Sequence, residues 1–485
     1  MKAKFRTVLF LLLTVAPAAL VLQGCPQIEP EDPDDPESGA KRYLLTQYMN
    51  VYYYWRDEVI GRNAGIDASA CDIYTYFDAL LHPDDRWSWM SARDDYVSHE
   101  TGVYSGSWGV SMGQPYEYYG NYGIRVRYVH PGSPLARYGI TRGAELRQID
   151  GFNVAFDENG FGQEKLAYYR AHFNESPQTF TFRLTDGRDT TFTASMTDRL
   201  STRSSLAVKV FQPGEFPGLT EPVGYFHYLS FMANFVGDIE DAMQQFRSAG
   251  VRKLIVDLRY NGGGDSRASQ LLTDCLAPAS AVGKPYVVRK HNDYLAGKYK
   301  AYSDAENTYT IASSGHSIDP EEIYFITGSG SASASEMVMN GLKPYLGDKL
   351  QMVGDTTYGK PNGMYVLLYP GSDSDYEAFN KGDFSRLEWV FLPICFYNLN
   401  ALGQAIPQSG FVPDNYRPDD LFHDFGVEED CIRACLHRIV NGVYPELPSR
   451  PAPAAVKSEG KFGYRIDTEE DNPHYGLYMV QKAVF

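Results

Sequence analysis

The sequence predicts a multidomain α+β chain in which an N-terminal helical domain and a strand-rich β module precede an α/β core. Three observations carry this. Between Lys41 and about Glu100, Tyr48, Met49, Val51, Tyr52, Tyr54 and Trp55 follow a helical beat, as do Tyr74, Phe77, Leu80 and Leu81. From Val103 to Leu200 the pattern shifts to short alternating, β-branched runs broken by glycine and proline. From Val223 onward a buried apolar run, a glycine-rich turn and an amphipathic helix recur in that order.

Taken in order, the chain opens with Lys2, Lys4 and Arg6 ahead of the apolar run Val8 to Leu22, the pattern of a secretory signal. Leu22-Gln23-Gly24-Cys25 resembles a bacterial lipobox, although Gln23 is a less usual choice there. The resemblance makes residues 1–24 a lipoprotein signal peptide and Cys25 the lipidated first residue; a plain signal peptide with an incidental cysteine is the competing reading. Pro26 to Gly39 holds four prolines and six carboxylates, so residues 25–40 read as a solvated tether. No second run of 18 or more apolar residues follows, so the expected membrane attachment is through the lipid only. The expected location is the cell envelope, as an outer-membrane lipoprotein on the periplasmic face or the cell surface. An acidic stretch directly after the cysteine resembles surface-export signals in some Gram-negative lipoproteins.

A formal charge of −17 argues against nucleic acid as a partner, because phosphate binding needs a basic face. Aromatic residues make up 14% of the chain, with 37 Tyr, which suggests broad contact surfaces. Beyond Cys25 the cysteines are Cys71, Cys275, Cys395, Cys431 and Cys435, an odd set without paired spacing. That argues against a disulfide framework and against a zinc site, and they read as buried small hydrophobes. Neither a metal nor a cofactor is expected.

Residues 41–100 are expected to pack as the helical domain, without a catalytic role. In residues 103–200, Gly106-Ser107-Trp108-Gly109-Val110 precedes the alternating run Tyr122 to Val129. His130-Pro131-Gly132-Ser133-Pro134-Leu135-Ala136, Gly139-Ile140-Thr141-Arg142-Gly143 and Leu146-Arg147-Gln148-Ile149-Asp150-Gly151 follow. Together these resemble a PDZ domain of bacterial proteases, with Ala144-Glu145 in place of the usual Asp after Gly143. The resemblance implies capture of a peptide C-terminus by β-augmentation, with Trp108, Gly109 and Val110 as candidate peptide-binding residues. A β module with only a packing role is the alternative.

The α/β core is expected over residues 206–445. Leu254-Ile255-Val256-Asp257-Leu258 reads as a buried strand ending in Arg259-Tyr260-Asn261-Gly262-Gly263-Gly264. Ile239, Ala242, Met243 and Phe246 mark a helix by their i, i+3, i+4, i+7 spacing. The same strand–turn–helix unit returns at Tyr324-Phe325-Ile326, Gly328-Ser329-Gly330 and the run from Glu336 through Leu342. A serine at such a join gains most, since N–H groups at a helix start favour developing negative charge. Ser333 with Glu336 is also an S-x-x-E capping box, which any helix can carry for stability alone.

The run Ser331-Ala332-Ser333-Ala334-Ser335-Glu336, followed by Gly354-Asp355-Thr356-Thr357-Tyr358-Gly359-Lys360, resembles the signature of the C-terminal processing (tail-specific) serine peptidases. The D-L-R-x-N-G-G-G run from Asp257 to Gly264 resembles them too, and the end of the core resembles members from Bacteroides-like bacteria. The resemblance implies a ClpP/crotonase-like α/β peptidase core behind a PDZ-like domain. It makes Ser333 the nucleophile, Lys360 its general base, and the N–H groups of Gly263 and Ala334 the oxyanion hole, with Gly262 the next candidate. The implied function is a serine endopeptidase that cleaves protein or peptide substrates through an acyl-enzyme, recognising their C-termini at the PDZ-like domain.

A serine hydroxyl needs a base beside it, and a lysine serves only if its pKa falls from ~10.4 to roughly 7–8, as burial can achieve. In the well-studied branch a Gln soon after the Lys helps to position it; here Lys360-Pro361-Asn362-Gly363-Met364 has none. His227 is a second candidate base, by resemblance to the tricorn-like branch. Two rival functions stand beside the peptidase: a catalytically silent peptide-binding lipoprotein on the same fold, and a crotonase-like acyl-CoA enzyme. The PDZ-like segment and the export signal speak against the second. Residues 446–485 are Pro-rich, then polar, and are expected to be a loosely packed tail.

Overall fold

The computed structural model describes residues 36–113, 116–118, 121–156 and 162–447. The signal peptide, Cys25, most of the acidic tether and the tail from 448 lie outside the described residues. No described helix is long and apolar enough to cross a membrane.

The chain divides into two compact units, and the division is not the one its linear order suggests. The first holds the described residues up to Val97 together with Arg289–Thr308 and Asn362–Tyr397. Of the two helical beats expected within 41–100, Tyr74 to Leu81 falls on the helix Ile73–Leu80. Tyr48 to Trp55 is no α-helix: a π-helical turn, Leu44–Met49, runs into turns there, and helices Pro36–Tyr43 and Arg56–Asn63 stand on either side. They do not form a domain of their own. Trp89–Ala92 pairs antiparallel with Trp389–Leu392, which pairs in turn with Leu367–Tyr369. The expected core at 206–445 therefore gives up two segments to the N-terminal unit. Periodicity reports which face of an element is apolar, but not which distant strand will cover it. The tyrosines fasten this unit internally: Tyr48 Oη donates to Leu368 O at 2.5 Å, and Tyr53 Oη to Asp85 Oδ2 at 2.7 Å. Asp85 also accepts the N–H groups of Trp87 and Ser88, so Asp85-Arg86-Trp87-Ser88 is a closed turn.

The second unit holds the strand-rich module and the α/β core. In the module, β1 (Val110–Met112), β2 (Asn121–Val129), β3 (Glu145–Ile149), β4 (Gln178–Arg183) and β5 (Asp189–Ala194) pair antiparallel in that order. Helix α1 (Gln163–His172) lies between β3 and β4 in the chain. Trp108, Val110, Ile124, Val126, Leu146, Ile149, Phe180 and Phe182 fill the core of the module, the inward half of an alternating pattern.

In the α/β core, β6 (Ser205–Phe211), β7 (Val223–Tyr228), β8 (Lys253–Asp257), β9 (Glu322–Thr327), β10 (Leu350–Gly354) and β11 (Asn415–Tyr416) form one sheet in chain order. Strands β7 to β11 run parallel, and β6 is antiparallel to β7. Helices α2 (Val236–Ser248), α3 (Ser266–Leu276) and α4 (Ala334–Leu346) pack with Phe226, Tyr228, Leu254, Val256 and Phe325 on one face. Helix α5 (Asp430–Asn441) packs with Tyr225, Ile255, Tyr324 and Ile326 on the other. Both faces are covered, which is why Leu254-Ile255-Val256 reads as an apolar run rather than an alternation, up to Asp257 at the strand's end. The turns after β8, β9 and β10 all leave carboxyl ends of neighbouring parallel strands, where open α/β sheets place their sites.

Arg142 joins the module to the core. All five of its guanidinium N–H groups are engaged: Nη1 donates to Tyr260 Oη and Arg127 O, Nη2 to Asp419 Oδ1 and Asp420 O, and Nε to His423 O. Asp419 also accepts from Arg259, which is paired with Asp257 and Glu429.

Candidate active site

The turn after β8 is held by Asn261. Its side chain donates to Tyr228 O at 2.9 Å, and its carbonyl accepts Ala332 N–H at 3.1 Å and Ser335 Oγ–H at 2.9 Å. One residue thus pins the glycine turn to the serine turn after β9. Ser331 Oγ donates to Leu258 O at 2.7 Å and makes the same join one step earlier.

These bonds separate the three serines. Ser331 and Ser335 are wholly buried, and their hydroxyls are committed to backbone carbonyls. Ser333 is half-buried, stands at the N-cap of α4, and has φ +55° and ψ −112°. A non-glycine residue in that region costs on the order of 1–3 kcal/mol and persists only where its surroundings hold it. A sharp strand-to-helix turn also lifts the serine of α/β-hydrolases out of its sheet.

Glu336 does the holding. Its carboxylate is fully buried and accepts Ser333 N–H and Lys360 N–H on Oε2 at 3.0 and 2.9 Å. Oε1 accepts Thr357 Oγ1–H and Gly359 N–H at 2.6 and 2.8 Å. Two amide nitrogens that share one oxygen lie within about 6 Å of each other, twice a hydrogen-bond length. The fold therefore brings the main chains of Ser333 and Lys360 together across 27 residues of sequence, and Lys360 is only 4% exposed. Burial pushes the Glu336 carboxyl above its ordinary value, and its four donors pull against that shift.

The glycines next to these residues are required by contact. A Cβ on Gly359 (φ +87°) would stand 2.3 Å from Gln408 O. On Gly263 (φ +108°) it would stand 2.8 Å from Ser333 Cβ and 3.0 Å from Ala334 N, so the glycine turn lies directly against the serine turn. Of the two expected oxyanion donors, Ala334 opens α4 and its N–H has no partner among the described residues. Gly263 differs from expectation: its N–H donates to Asn261 Oδ1 at 2.9 Å, because that side chain folds forward over the turn. The N–H of Gly262 has no partner among the described residues.

His227 is not placed to serve as the base. Its ring packs on Phe425 and Tyr260, and strand alternation puts it on the α5 face of the sheet, opposite α4. Burial pushes its pKa down to about 4.

In the strand-rich module, the three candidate peptide-binding residues are not equivalent. Trp108 is buried and its Nε1–H donates to Phe173 O, so its side chain belongs to the core of the module. Gly109 N–H donates to Ser107 Oγ, so it is not an open donor for a carboxylate. Gly109 O accepts His130 N–H just past β2 and Gly113 N–H donates to Arg125 O within it, which leaves the backbone edges of Val110 and Met112 facing away from that partner.

From sequence alone Glu336 reads only as a helix cap, and Asn261 and Thr357 carry no role. The signal for Glu336 was its S-x-x-E spacing. Its reach to Thr357, Gly359 and Lys360 is tertiary and left no mark in the pattern.

The fold and site define a class: a mostly parallel α/β sheet carrying a strained serine at a strand–helix turn, a glycine-rich turn against it and a buried lysine beside it. Residues 222–374 match the model of peptidase family S41, whose C-terminal processing members are serine hydrolases. A carboxyl-terminal-processing peptidase 2 from Arabidopsis thaliana chloroplasts is 24% identical over 325 residues, 66% of this chain and 56% of that one. A carboxyl-terminal-processing protease from Picosynechococcus is 24% identical over 230 residues, 47% of this chain and 49% of that one. The chain thus spans about half the length of these curated relatives. A solved structure from Bacteroides fragilis NCTC 9343, assigned to the S41 proteases, shares the fold with a TM-score of 0.61 and 18% identity, covering 86% of this chain and 98% of that one.

Proposed function

We propose that the chain is a serine endopeptidase acting through Ser333 and Lys360. The observation that carries this is the pair of bonds to one Glu336 oxygen, which set the main chains of both residues side by side beneath the start of α4. In the proposed reaction Ser333 Oγ bonds to the scissile carbonyl carbon while Lys360 Nζ takes the hydroxyl proton. The oxyanion is held by Ala334 N–H and by the glycine turn, either through Gly263 after it turns from Asn261 or through Gly262. Lys360 passes its proton to the leaving amine, and water then hydrolyses the ester and restores Ser333. One well-placed oxyanion donor is typically worth ~3–4 kcal/mol of barrier.

Substrates are proteins or peptides, presented by their C-termini to the PDZ-like module; the outward backbone edge of β1 at Val110 and Met112 supports that reading. Anchoring through a lipid on Cys25 in the cell envelope, with the PDZ-like module as the capture site, completes the proposal. The test is fluorophosphonate labelling, together with digestion of unstructured proteins of defined C-terminus. Wild type should label and digest, and both Ser333→Ala and Lys360→Ala should lose digestion. Wild-type protein that labels no faster than Ser333→Ala would leave the silent peptide-binding lipoprotein in its place.

A further inference from the structure

We propose that Glu336 is the positioning residue of the Ser333–Lys360 pair, its carboxylate holding the main chains of nucleophile and base in one frame. The inference rests on the peptidase reading and names what aligns its two reacting side chains.

The four donors come from two places that meet only in the folded chain. Ser333 N–H lies at the start of α4, while Thr357 Oγ1–H, Gly359 N–H and Lys360 N–H lie in the loop after β10. A capping box needs only the first of these. The other three make the carboxylate a bracket between elements. Deleting it would leave buried N–H groups unpaired on both sides at once, at the two residues whose relative position matters most.

The chemistry favours a carboxylate over other acceptors. Two oxygens, each taking two donors, match an ionised carboxyl, and bonds to a charged acceptor are shorter and stronger than neutral ones. A glutamine here would turn an NH₂ group toward two donors. The frame is completed by Thr357, whose Oγ1 also accepts Phe411 N–H at 2.7 Å, while its own N–H donates to Phe411 O at 3.1 Å. Glu336 acts on Lys360 through the backbone of the loop, in a chain that lacks a glutamine at Met364.

The test uses the full chain with two linked sets of variants. Glu336→Gln should lower both the rate of fluorophosphonate labelling and kcat by about 100-fold, the scale of a small misplacement of reacting groups, with KM changed less than about twofold. Thr357→Val removes one donor and keeps the carboxylate; it should lower kcat by about 10-fold, and Thr357→Ser, which restores the hydroxyl, should recover it. If Glu336→Gln does not fold, the Thr357→Val and Thr357→Ser pair decides the matter. Folded Glu336→Gln, or Thr357→Val, labelled at the wild-type rate overturns this inference alone. Wild type that labels no faster than Ser333→Ala overturns the peptidase reading and this inference with it.

Discussion

At the scale of single residues, the site depends on which serine does not commit its hydroxyl proton to a backbone carbonyl. Three serines alternate with alanines within five positions, and the sequence treats them alike. The structure does not, because Ser331 and Ser335 each tie the serine turn to a carbonyl near the glycine turn. Replacing either by alanine leaves a buried carbonyl with one bond fewer, a loss of about 1 kcal/mol or more. Ser331→Ala and Ser335→Ala should therefore melt at lower temperature in thermal denaturation yet still label with a fluorophosphonate. Labelling abolished in a folded Ser335→Ala would move the proposed nucleophile away from Ser333.

At the scale of elements, α4 is the piece whose placement everything else must respect. It is buried along most of its length, and Gly341 lets it approach the ring of Tyr286. A Cβ on Gly341 would stand 2.4 Å from that ring. Alanine in a helix interior gains ~1 kcal/mol over glycine in propensity, whereas overpacking a dense core costs ~1–3 kcal/mol. The overpacking should prevail, since Tyr286 is itself buried and cannot swing clear. Gly341→Ala should unfold at lower urea, and an unchanged or higher midpoint would show that α4 has room to shift. The helical beat of α2 and the apolar runs of β8 and β9 were legible because burial repeats with the element's own period. The small residue at 341 was not, because its cause is an aromatic ring 55 positions away.

At the scale of the whole molecule, the two units interleave in the chain, and within the second unit the strand-rich module is fastened to the core by buried charge. Burial pushes the Asp419 carboxyl up, but Arg142 and Arg259 outweigh it and hold it well below the usual carboxylate range. His227 lies in the same region, buried and neutral, with its pKa pushed down from 6.5 to about 4. The unfolded chain takes up that proton below pH 6.5, while the folded chain resists it until about pH 4. Stability is thus intact above pH 6.5 and falls as pH drops through this window, by roughly 3 kcal/mol for the one histidine. Glu429, pushed up by burial in the same cluster, works in the opposite sense. The difference between wild type and His227→Phe isolates the histidine: the phenylalanine variant should lose less stability in urea between pH 7 and pH 4.5. Equal losses would mean that His227 takes up its proton without cost.

What the sequence determined by itself was local: the strand–turn–helix units, the serine at their join, the glycine turn before it and a lysine flanked by glycine. Each is written within a few consecutive residues, because hydrogen bonding and burial act there at fixed spacing. Only the tertiary structure decided that Glu336 serves Ser333 and Lys360 together, that Asn261 holds the Gly263 N–H, and that His227 faces the far side of the sheet. It also decided that Trp89–Ala92 finds its partner at Trp389–Leu392. These are meetings between distant segments, and a hydrogen bond across the fold leaves no periodic trace in either strand of sequence that makes it.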